Sequence, residues 1–207
     1  MIFTVAIDGP AAAGKGTVAR AVAAALGFAH LDTGLLYRAV ALRSLGGEDP
    51  SAAARALDPS ARDDPRLRRP EVSEEASRVA AIPEVRAALL DVQKRFARRE
   101  GGAVLDGRDV GTVICPEAEA KLFVTATEEA RARRRHAEIV AAGREATLED
   151  TLAQIRARDA RDASRAAAPL LAAPDAVLID TSDMRIEEAV EAALVVVRDR
   201  MAEGGPG

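Results

Sequence analysis

Residues 2–17 read IFTVAIDGPAAAGKGT, and this stretch decides the fold of the chain. The run 2–7 is short, apolar and rich in β-branched residues, which predicts a buried parallel strand. The run breaks at the Gly-Pro pair 9–10, and the alanine-rich segment 17–26 then predicts a helix. Strand, glycine loop and helix in this order are typical of a loop that binds phosphate.

The chemistry of such a loop is carried by its backbone N–H groups and by the N-terminus of the helix, which both favour negative charge. We expect Lys15 to contact the β- and γ-phosphates of a nucleoside triphosphate, and the Thr17 hydroxyl to serve Mg²⁺ or its waters. A tight turn with a solvated Lys15 is the alternative, and the order of the elements disfavours it. The predicted ATP-binding residues are Gly9, Pro10, Ala11, Ala12, Ala13, Gly14, Lys15, Gly16 and Thr17.

The position of the hydroxyl narrows the class of phosphate loop. Gly16 stands where the general pattern GxxxxGK[ST] has its hydroxyl residue, and the hydroxyl follows one residue later. The resulting form, GKGT, resembles the nucleoside-monophosphate kinases rather than the GTPases or motor ATPases.

Composition limits the other classes of protein. At 207 residues the chain suits one α/β domain that spans residues 1–207, and it is long enough to bury a core. A net charge of −4 argues against a nucleic-acid binder, and the single cysteine excludes a disulfide framework or a thiolate metal cluster. No signal peptide or membrane-length apolar run is present, and we expect a cytoplasmic monomer with no membrane partner.

The rest of the chain alternates between strand-like and helix-like patterns. The further predicted strands are 27–31, 103–105, 121–125 and 176–180, and the clearest helices are 33–45, 71–99 with a break at Pro83, and 186–201. This alternation predicts an α/β fold with a five-stranded parallel sheet and helices on both faces. Two excursions leave this core, an acceptor-binding insert at 33–100 and a lid at 128–168. Residues 46–72 read as loop with a short helix possible at 51–57, and residues 204–207 as a disordered tail.

The segment 32–38, DTGLLYR, opens the second helix. Thr33 is its predicted N-cap, and Arg38 lies a turn or more inside the helix. Alone, this string favours a capped helix with a solvated Arg38; beside a phosphate loop it resembles the segment where monophosphate kinases receive the acceptor phosphate. The preceding His30 is expected to be a strand residue with a satisfied ring rather than a ligand.

The segment 101–112, GGAVLDGRDVGT, places several charged residues at the end of a buried strand. Ligands of open α/β sheets gather at the carboxyl ends of the strands. We therefore expect Asp106, Arg108 and Asp109 to contact a ligand rather than to form a simple loop.

An Arg-rich helix follows between the last two strands. Arg158, Asp162 and Arg165 are spaced i, i+4 and i+7, so they share one helical face. A solvated face is the usual explanation for such a run. With a phosphate loop in the same chain, the arginines also fit a lid that closes on phosphates.

Five strings together resemble the bacterial cytidylate kinase (CMP kinase) family: IDGPAAAGKGT, LDTGLLYRAVAL, EEASRVAAIPEVRAALL, DGRDVGT and RARDARDASRAAAPL. They extend to about residue 170, and the DGRD and RDxxDxxR patterns are far more specific than the phosphate loop. The resemblance implies a P-loop kinase fold that moves the γ-phosphoryl group of ATP to CMP or dCMP with Mg²⁺.

The resemblance also implies roles for individual residues. Ser77, Arg86 and Asp109 would read the cytosine; Arg38, Arg108 and Arg165 would hold the CMP phosphate; Arg158 and Asp162 would meet the sugar. Asp32, Thr33 and Asp106 complete the implied substrate site, and Lys15, Arg38, Arg108 and Arg165 form the implied catalytic set. Cytosine offers an amine donor at N4 and acceptors at N3 and O2. Uracil would place O4, an acceptor, against the Asp109 carboxylate.

Two features depart from the family pattern. Ala12 stands where another loop glycine is usual, which should constrain the backbone without removing an N–H group. Residues 46–72 are too few and too polar for the small β-sheet that many members insert there.

Two other functions stay open at this point. The chain could be another small-molecule P-loop kinase, for adenylate, shikimate or dephospho-coenzyme A, whose acceptor choice would ignore Asp109. It could also be a nucleotide-binding regulator without turnover, although the retained arginines disfavour this.

Overall fold

The computed structural model describes residues 1–58, 64–164 and 168–203. The strands are β1 (Thr4–Asp8), β2 (Ala29–Asp32), β3 (Ala103–Gly107), β4 (Ala120–Thr125) and β5 (Val177–Asp180). The α-helices in these ranges are α1 (Lys15–Leu26), α2 (Thr33–Leu45), α3 (Pro50–Arg55), α4 (Pro70–Val79), α5 (Pro83–Ala97), α6 (Glu128–Ala141), α7 (Leu148–Ala163) and α8 (Ile186–Glu203).

The five strands form one parallel sheet in the order β2-β3-β1-β4-β5. The predicted five-stranded parallel sheet is therefore confirmed. β1 lies at the centre of the sheet, and β3 lies between β1 and β2. The whole of the 33–100 excursion separates β2 from β3 in sequence, yet the two strands are neighbours in the sheet. The carboxyl ends of β1, β2 and β3 consequently meet at one edge, where Asp8, Asp32 and Asp106 lie.

Two apolar layers cover the sheet, which explains why the central strands are buried on both faces. One layer packs the α2, α4 and α5 side chains against Ala6, Leu31 and Leu105. The other packs α1 and α8 against Val5, Ile7 and further strand residues. Ala, Val and Leu dominate both layers, as the low aromatic content requires.

Local capping fixes several helix starts. The Thr127 hydroxyl accepts from the Ala130 N–H at the start of α6, and the Thr147 hydroxyl accepts from the Asp150 N–H at the start of α7. Proline occupies the first turn of α3, α4 and α5, where its missing N–H has no cost.

The predicted N-cap role of Thr33 is wrong. Asp32 holds the N-cap position of α2, without a capping hydrogen bond from its side chain. Thr33 is instead the first residue of the helix, and its hydroxyl donates to the carbonyl oxygen of Asp106 at 2.9 Å. The short polar side chain therefore joins two strand ends across the sheet edge, and sequence spacing does not reveal this partner.

The two excursions are helical in the described residues. The first contains α2 to α5 and no β-strand within 33–58 and 64–100. Its short helix, predicted at 51–57, is α3, and a 3₁₀ turn at Pro65–Arg68 was not predicted. The second contains α6 and α7, which pack against each other. Residues 59–63 of the predicted loop and the predicted tail at 204–207 lie outside the described residues.

Candidate active site

The phosphate loop leaves β1 where two backbones lie very close together. A Cβ at Gly9 would lie 1.9 Å from the carbonyl oxygen of Val124 in β4, so only glycine fits here. The chain then enters α1 at Lys15, and no side chain caps this helix N-terminus. The N–H groups of Thr17 and Val18 donate to the carbonyl oxygen of Gly14, so the N–H groups that precede them face a ligand, and the helix dipole favours an anion there.

Ala12 shows how this loop departs from an all-glycine one. Its backbone has a φ of 60°, in the left-handed region that glycine adopts most easily. An L-residue pays roughly 1 kcal/mol for this conformation because its Cβ crowds a carbonyl oxygen. The expected constraint at Ala12 thus takes the form of local strain, and the N–H group is kept.

A cavity of about 170 Å³ lies beside the phosphate loop at the carboxyl ends of β2 and β3, with α2, α4, α5 and α7 around it. The lining residues that were predicted from the sequence as site residues are Lys15, Gly16, Asp32, Thr33, Arg38, Ser77, Arg86, Asp106, Arg108, Asp109, Arg158 and Asp162. The structure therefore brings together every described residue of the expected acceptor site. Arg165 lies outside the described residues. Tyr37, Ala76 and Ala80 also line the cavity and were not predicted.

Two carboxylates and one lysine form the end of the cavity nearest the phosphate loop. Asp32 and Asp106 lie side by side in the register of β2 and β3. Burial raises the pKa of Asp32, and the charge of Asp106 raises it further. Lys15 keeps some exposed surface, yet it is enclosed closely enough that burial, followed by the charge of Arg108, lowers its pKa to about 7. The lysine can therefore gain a proton readily when an anion binds.

Arg108 and α7 meet across the cavity. The Arg108 Nε–H donates to the Asp162 carboxylate at 3.0 Å, and Asp162 is almost completely buried. Arg158 lies on the same helical face, with its Nε 4.0 Å from Asp162. The predicted i, i+4 pair thus faces the cavity rather than solvent, and the solvated-face interpretation is wrong for Asp162.

In the same cavity, the Arg86 guanidinium donates to the Asp109 carboxylate. Both groups are mostly buried, and Ser77 of α4 lies buried in the same wall. The pair presents a fixed donor beside a fixed acceptor. That pattern complements a planar base with one donor next to acceptors.

Arg38 of α2 also lines the cavity. It donates to the Leu67 carbonyl oxygen and to the Ser73 hydroxyl, both at 3.4 Å, so its direct partners are neutral. Burial lowers the pKa of Arg38; Asp32 opposes this effect, and the cations Arg135 and Arg68 add to it. A half-buried guanidinium among other cations favours the binding of an anion such as phosphate.

Asp8 is a site residue that sequence reasoning missed. Its carboxylate accepts from the backbone N–H groups of Val110 and Gly111, both at 2.8 Å. These bonds tie the turn that carries Arg108 and Asp109 to the end of β1. Burial raises the pKa of Asp8 to about 6, and the two backbone donors limit the rise. An acidic residue at the end of a wholly buried strand was the available signal.

Arg131 is a second residue whose position the sequence did not reveal. It is buried, donates to the carbonyl oxygens of Ala126 and Ala11, and pairs with Asp159 of α7 at 2.6 Å. One side chain of the Arg-rich α6 therefore joins the phosphate loop to α7. The run of arginines around it hid this role.

No described group of three or more His, Cys, Asp or Glu side chains could enclose a metal ion. The Thr17 hydroxyl, which the sequence predicts as an oxygen ligand for Mg²⁺, is exposed at the start of α1. This fits an ion that keeps several waters and takes its other ligands from phosphates. Across the described residues, no helix is both long and apolar enough to cross a membrane.

Comparison with known proteins decides the family. The sequence matches the family model described as cytidylate kinase over residues 5–64 and 57–199. The chain belongs to the cytidylate kinase family. It is 61% identical over 206 residues to the cytidylate kinase of Cereibacter sphaeroides, with 99% of each chain covered. The cytidylate kinase of Caulobacter vibrioides is 56% identical over 209 residues, with 98% of each chain covered.

Solved structures with low sequence identity support the fold. A gluconokinase from Sinorhizobium meliloti is 19% identical, with a TM-score of 0.52 over 98% of this chain and 95% of that one. An uncharacterized protein from Eubacterium ventriosum is 13% identical, with a TM-score of 0.57 over 95% and 98%. The family match at more than half identity disfavours the adenylate, shikimate and dephospho-coenzyme A alternatives.

Proposed function

We propose that this member of the cytidylate kinase family transfers the γ-phosphoryl group of ATP to CMP and dCMP in the cavity beside the phosphate loop. The observation that carries the proposal is the buried Arg86–Asp109 pair, which lines the same cavity as Lys15 and Gly16 of the phosphate loop. The proposed base reader and part of the proposed triphosphate binder thus share one cavity with Arg38, Arg108 and Arg158.

On the donor side, the loop 9–17 binds the triphosphate through backbone N–H groups and through Lys15. The Thr17 hydroxyl is the protein oxygen that would hold Mg²⁺, and this ion would neutralise charge on the phosphates when bound. Lys15 supplies a cation that is placed before the reaction begins. Such preorganised charge is effective because it needs no reorganisation as charge moves in the transition state.

On the acceptor side, the base is read at one end and the phosphate is held nearer the loop. Asp109 accepts from the N4 amine of cytosine, while Arg86 and Ser77 face its ring acceptors. UMP would present O4 to the Asp109 carboxylate and leave two acceptors facing each other. Mispaired buried groups of this kind cost roughly 1–3 kcal/mol each.

Arg38 and Arg108 hold the CMP phosphate, and Arg165 is proposed for the same role. Asp162 and Arg158 would meet the sugar, and Asp162 also accepts a hydrogen bond from Arg108. Asp32, Thr33 and Asp106 line the floor of the site. No residue needs to form a covalent intermediate, because positioning and charge neutralisation carry phosphoryl transfer.

We also propose that α6 and α7, within residues 128–168, act as a lid. Arg131 pairs with Asp159 of α7, and Asp162 of α7 pairs with Arg108 of the site, so this segment contacts both substrate regions. Closure would exclude water that could otherwise hydrolyse ATP.

A coupled ADP-release assay tests the proposal directly. We expect turnover with CMP and dCMP, much slower turnover with UMP, and none with AMP or shikimate. Removal of Mg²⁺ by a chelator should abolish turnover, and added Mg²⁺ should restore it. Preference for AMP or shikimate, or nucleotide binding without turnover of any acceptor, would contradict the proposal.

A further inference from the structure

His30 of β2 makes one contact that ties it to the site without lining it. Its Nε2 lies 2.7 Å from the Oδ1 atom of Asp106 on the neighbouring strand. Asp106 is buried, whereas the His30 side chain keeps 20% of its surface exposed. Asp106 lines the cavity and His30 does not, so this hydrogen bond connects His30 to the site.

We assign the proton of this hydrogen bond to Nε2 of His30. An ionised carboxylate only accepts, so Nε2 acts as the N–H donor towards it. The bond therefore holds Oδ1 of Asp106 towards β2.

The second oxygen of Asp106 then faces the phosphate loop. Oδ2 lies 3.6 Å from the position that a Cβ on Gly16 would take, next to Lys15. Asp106 is also the acidic group that most favours the charged form of Lys15. Without the bond to His30, the carboxylate could rotate about its own side-chain torsions, and the like charge of Asp32 beside it would push it from its place.

We propose that His30 is a positioning residue, which holds the Asp106 carboxylate so that its free oxygen faces Lys15 and the start of α1. This inference rests on the proposed function and adds a residue that neither the phosphate loop nor the acceptor motifs contain. The proposed series of side chains runs from His30 through Asp106 to Lys15, and of these three Asp106 and Lys15 line the cavity.

A matched pair of amide variants tests the geometry. The side-chain nitrogen of Gln overlays Nε2 of His, whereas that of Asn overlays Nδ1 and is too short to reach Asp106. We expect His30→Gln to keep kcat with CMP within about twofold. His30→Asn should lower kcat on the order of tenfold, the effect of one hydrogen bond to a charged group. The loss should appear in kcat more than in the KM for CMP, because Arg86 and Asp109, the proposed base-reading residues, make no contact with His30 that the structure records.

A double-mutant cycle with Asp106→Ala separates positioning from a structural role. If His30 acts through Asp106, His30→Asn should cost less than twofold once the carboxylate is gone. An equal loss of kcat in both backgrounds would overturn the proposal, as would an equal loss in His30→Gln and His30→Asn. Melting temperatures should match between the two amide variants. Wild-type turnover of CMP keeps the two hypotheses apart, because its absence would contradict the proposed function and not the role of His30.

Discussion

The phosphate loop and the acceptor cavity are neighbours, yet they are built in opposite ways. The loop offers backbone N–H groups and one charged side chain, Lys15, among small residues. The cavity offers charged side chains from several elements, and four of them form ion pairs, Arg86 with Asp109 and Arg108 with Asp162. Backbone groups suit the phosphates of many nucleotides, whereas fixed charge pairs suit one acceptor. We therefore propose that acceptor specificity lies in the cavity and that the loop binds the phosphates of the donor.

We expect the largest effect from a substitution that removes the charge of Lys15 from the loop. Lys15→Met should lower kcat at least a hundredfold, because preorganised charge on the transferring group is worth about 3 kcal/mol or more. The fold should stay intact, since the substitution removes a buried cation. Steady-state kinetics and circular dichroism check this, with Lys94→Met on the exposed face of α5 as the control. Activity within tenfold of the wild type would contradict the role of the loop.

The next effect tests whether the charge pairs of the cavity hold the acceptor. Asp162→Ala leaves the guanidinium of Arg108 without its carboxylate, and a charged hydrogen bond is worth about 1.5–3 kcal/mol. The KM for CMP should rise at least tenfold, while the KM for ATP should change little. Asp199→Ala on the exposed surface of α8 is the matched control. Equal increases in both KM values would indicate a general disturbance and not a lost acceptor contact.

The same contrast explains what the sequence could reveal. The phosphate loop is continuous, so its strand, glycines and lysine were readable from local pattern. The cavity joins Arg86 to Asp109 over 23 positions and Arg108 to Asp162 over 54, and only the family resemblance brought these residues together. Local spacing does not encode how the strands pair. Three features depend on that pairing: the strand order, the hydrogen bonds that Asp8 accepts from the turn at 110–111, and the bond from Thr33 to Asp106.

A smaller effect concerns protons. Because the pKa of Lys15 is lowered to about 7, the lysine is mostly neutral at pH 8 in the empty protein. Bound triphosphate should raise this pKa, so binding at pH 8 should take up as much as one proton. Calorimetric titration of an ATP analogue in buffers of different ionisation enthalpy measures the uptake. Lys15→Met should abolish it, and an uptake equal in both proteins would show that another group is responsible.

The lowered pKa of Lys15 should also make the stability of the empty protein depend on pH. The pKa of Lys15 is lower in the folded state than its ordinary value of 10.5, so the unfolded chain binds more protons between about pH 7 and 10.5. This group's contribution to the free energy of unfolding should therefore rise with pH across that window. Denaturant unfolding of the wild type and of Lys15→Met at pH 7 and pH 9 compares the two slopes. A slope that the substitution leaves unchanged would contradict the burial of Lys15.

The smallest effect lies in the loop backbone. Ala12→Gly removes the strain of a non-glycine residue in the left-handed region, which raises the free energy of unfolding by roughly 1 kcal/mol. Glycine also makes the unfolded chain more flexible, and this offsets about half of that increase or more. We expect a rise in melting temperature of about 1–2 °C, by the scaling for a domain of this size. ATP binding should be unchanged because the N–H group stays. Ala13→Gly is the control, since Ala13 is not among the positive-φ residues and is fully buried; it should lower the melting temperature.

The specificity of the cavity is tested most directly by the ratio of kcat/KM for CMP to that for UMP. We predict that the wild type strongly favours CMP and that Asp109→Ala narrows the ratio at least tenfold, because one buried mispaired group costs about 1–3 kcal/mol. Asp91→Ala, the same change on the exposed face of α5, should leave the ratio as it is. A ratio that stays the same in Asp109→Ala would show that this carboxylate does not read the base, and would contradict the account of the cavity.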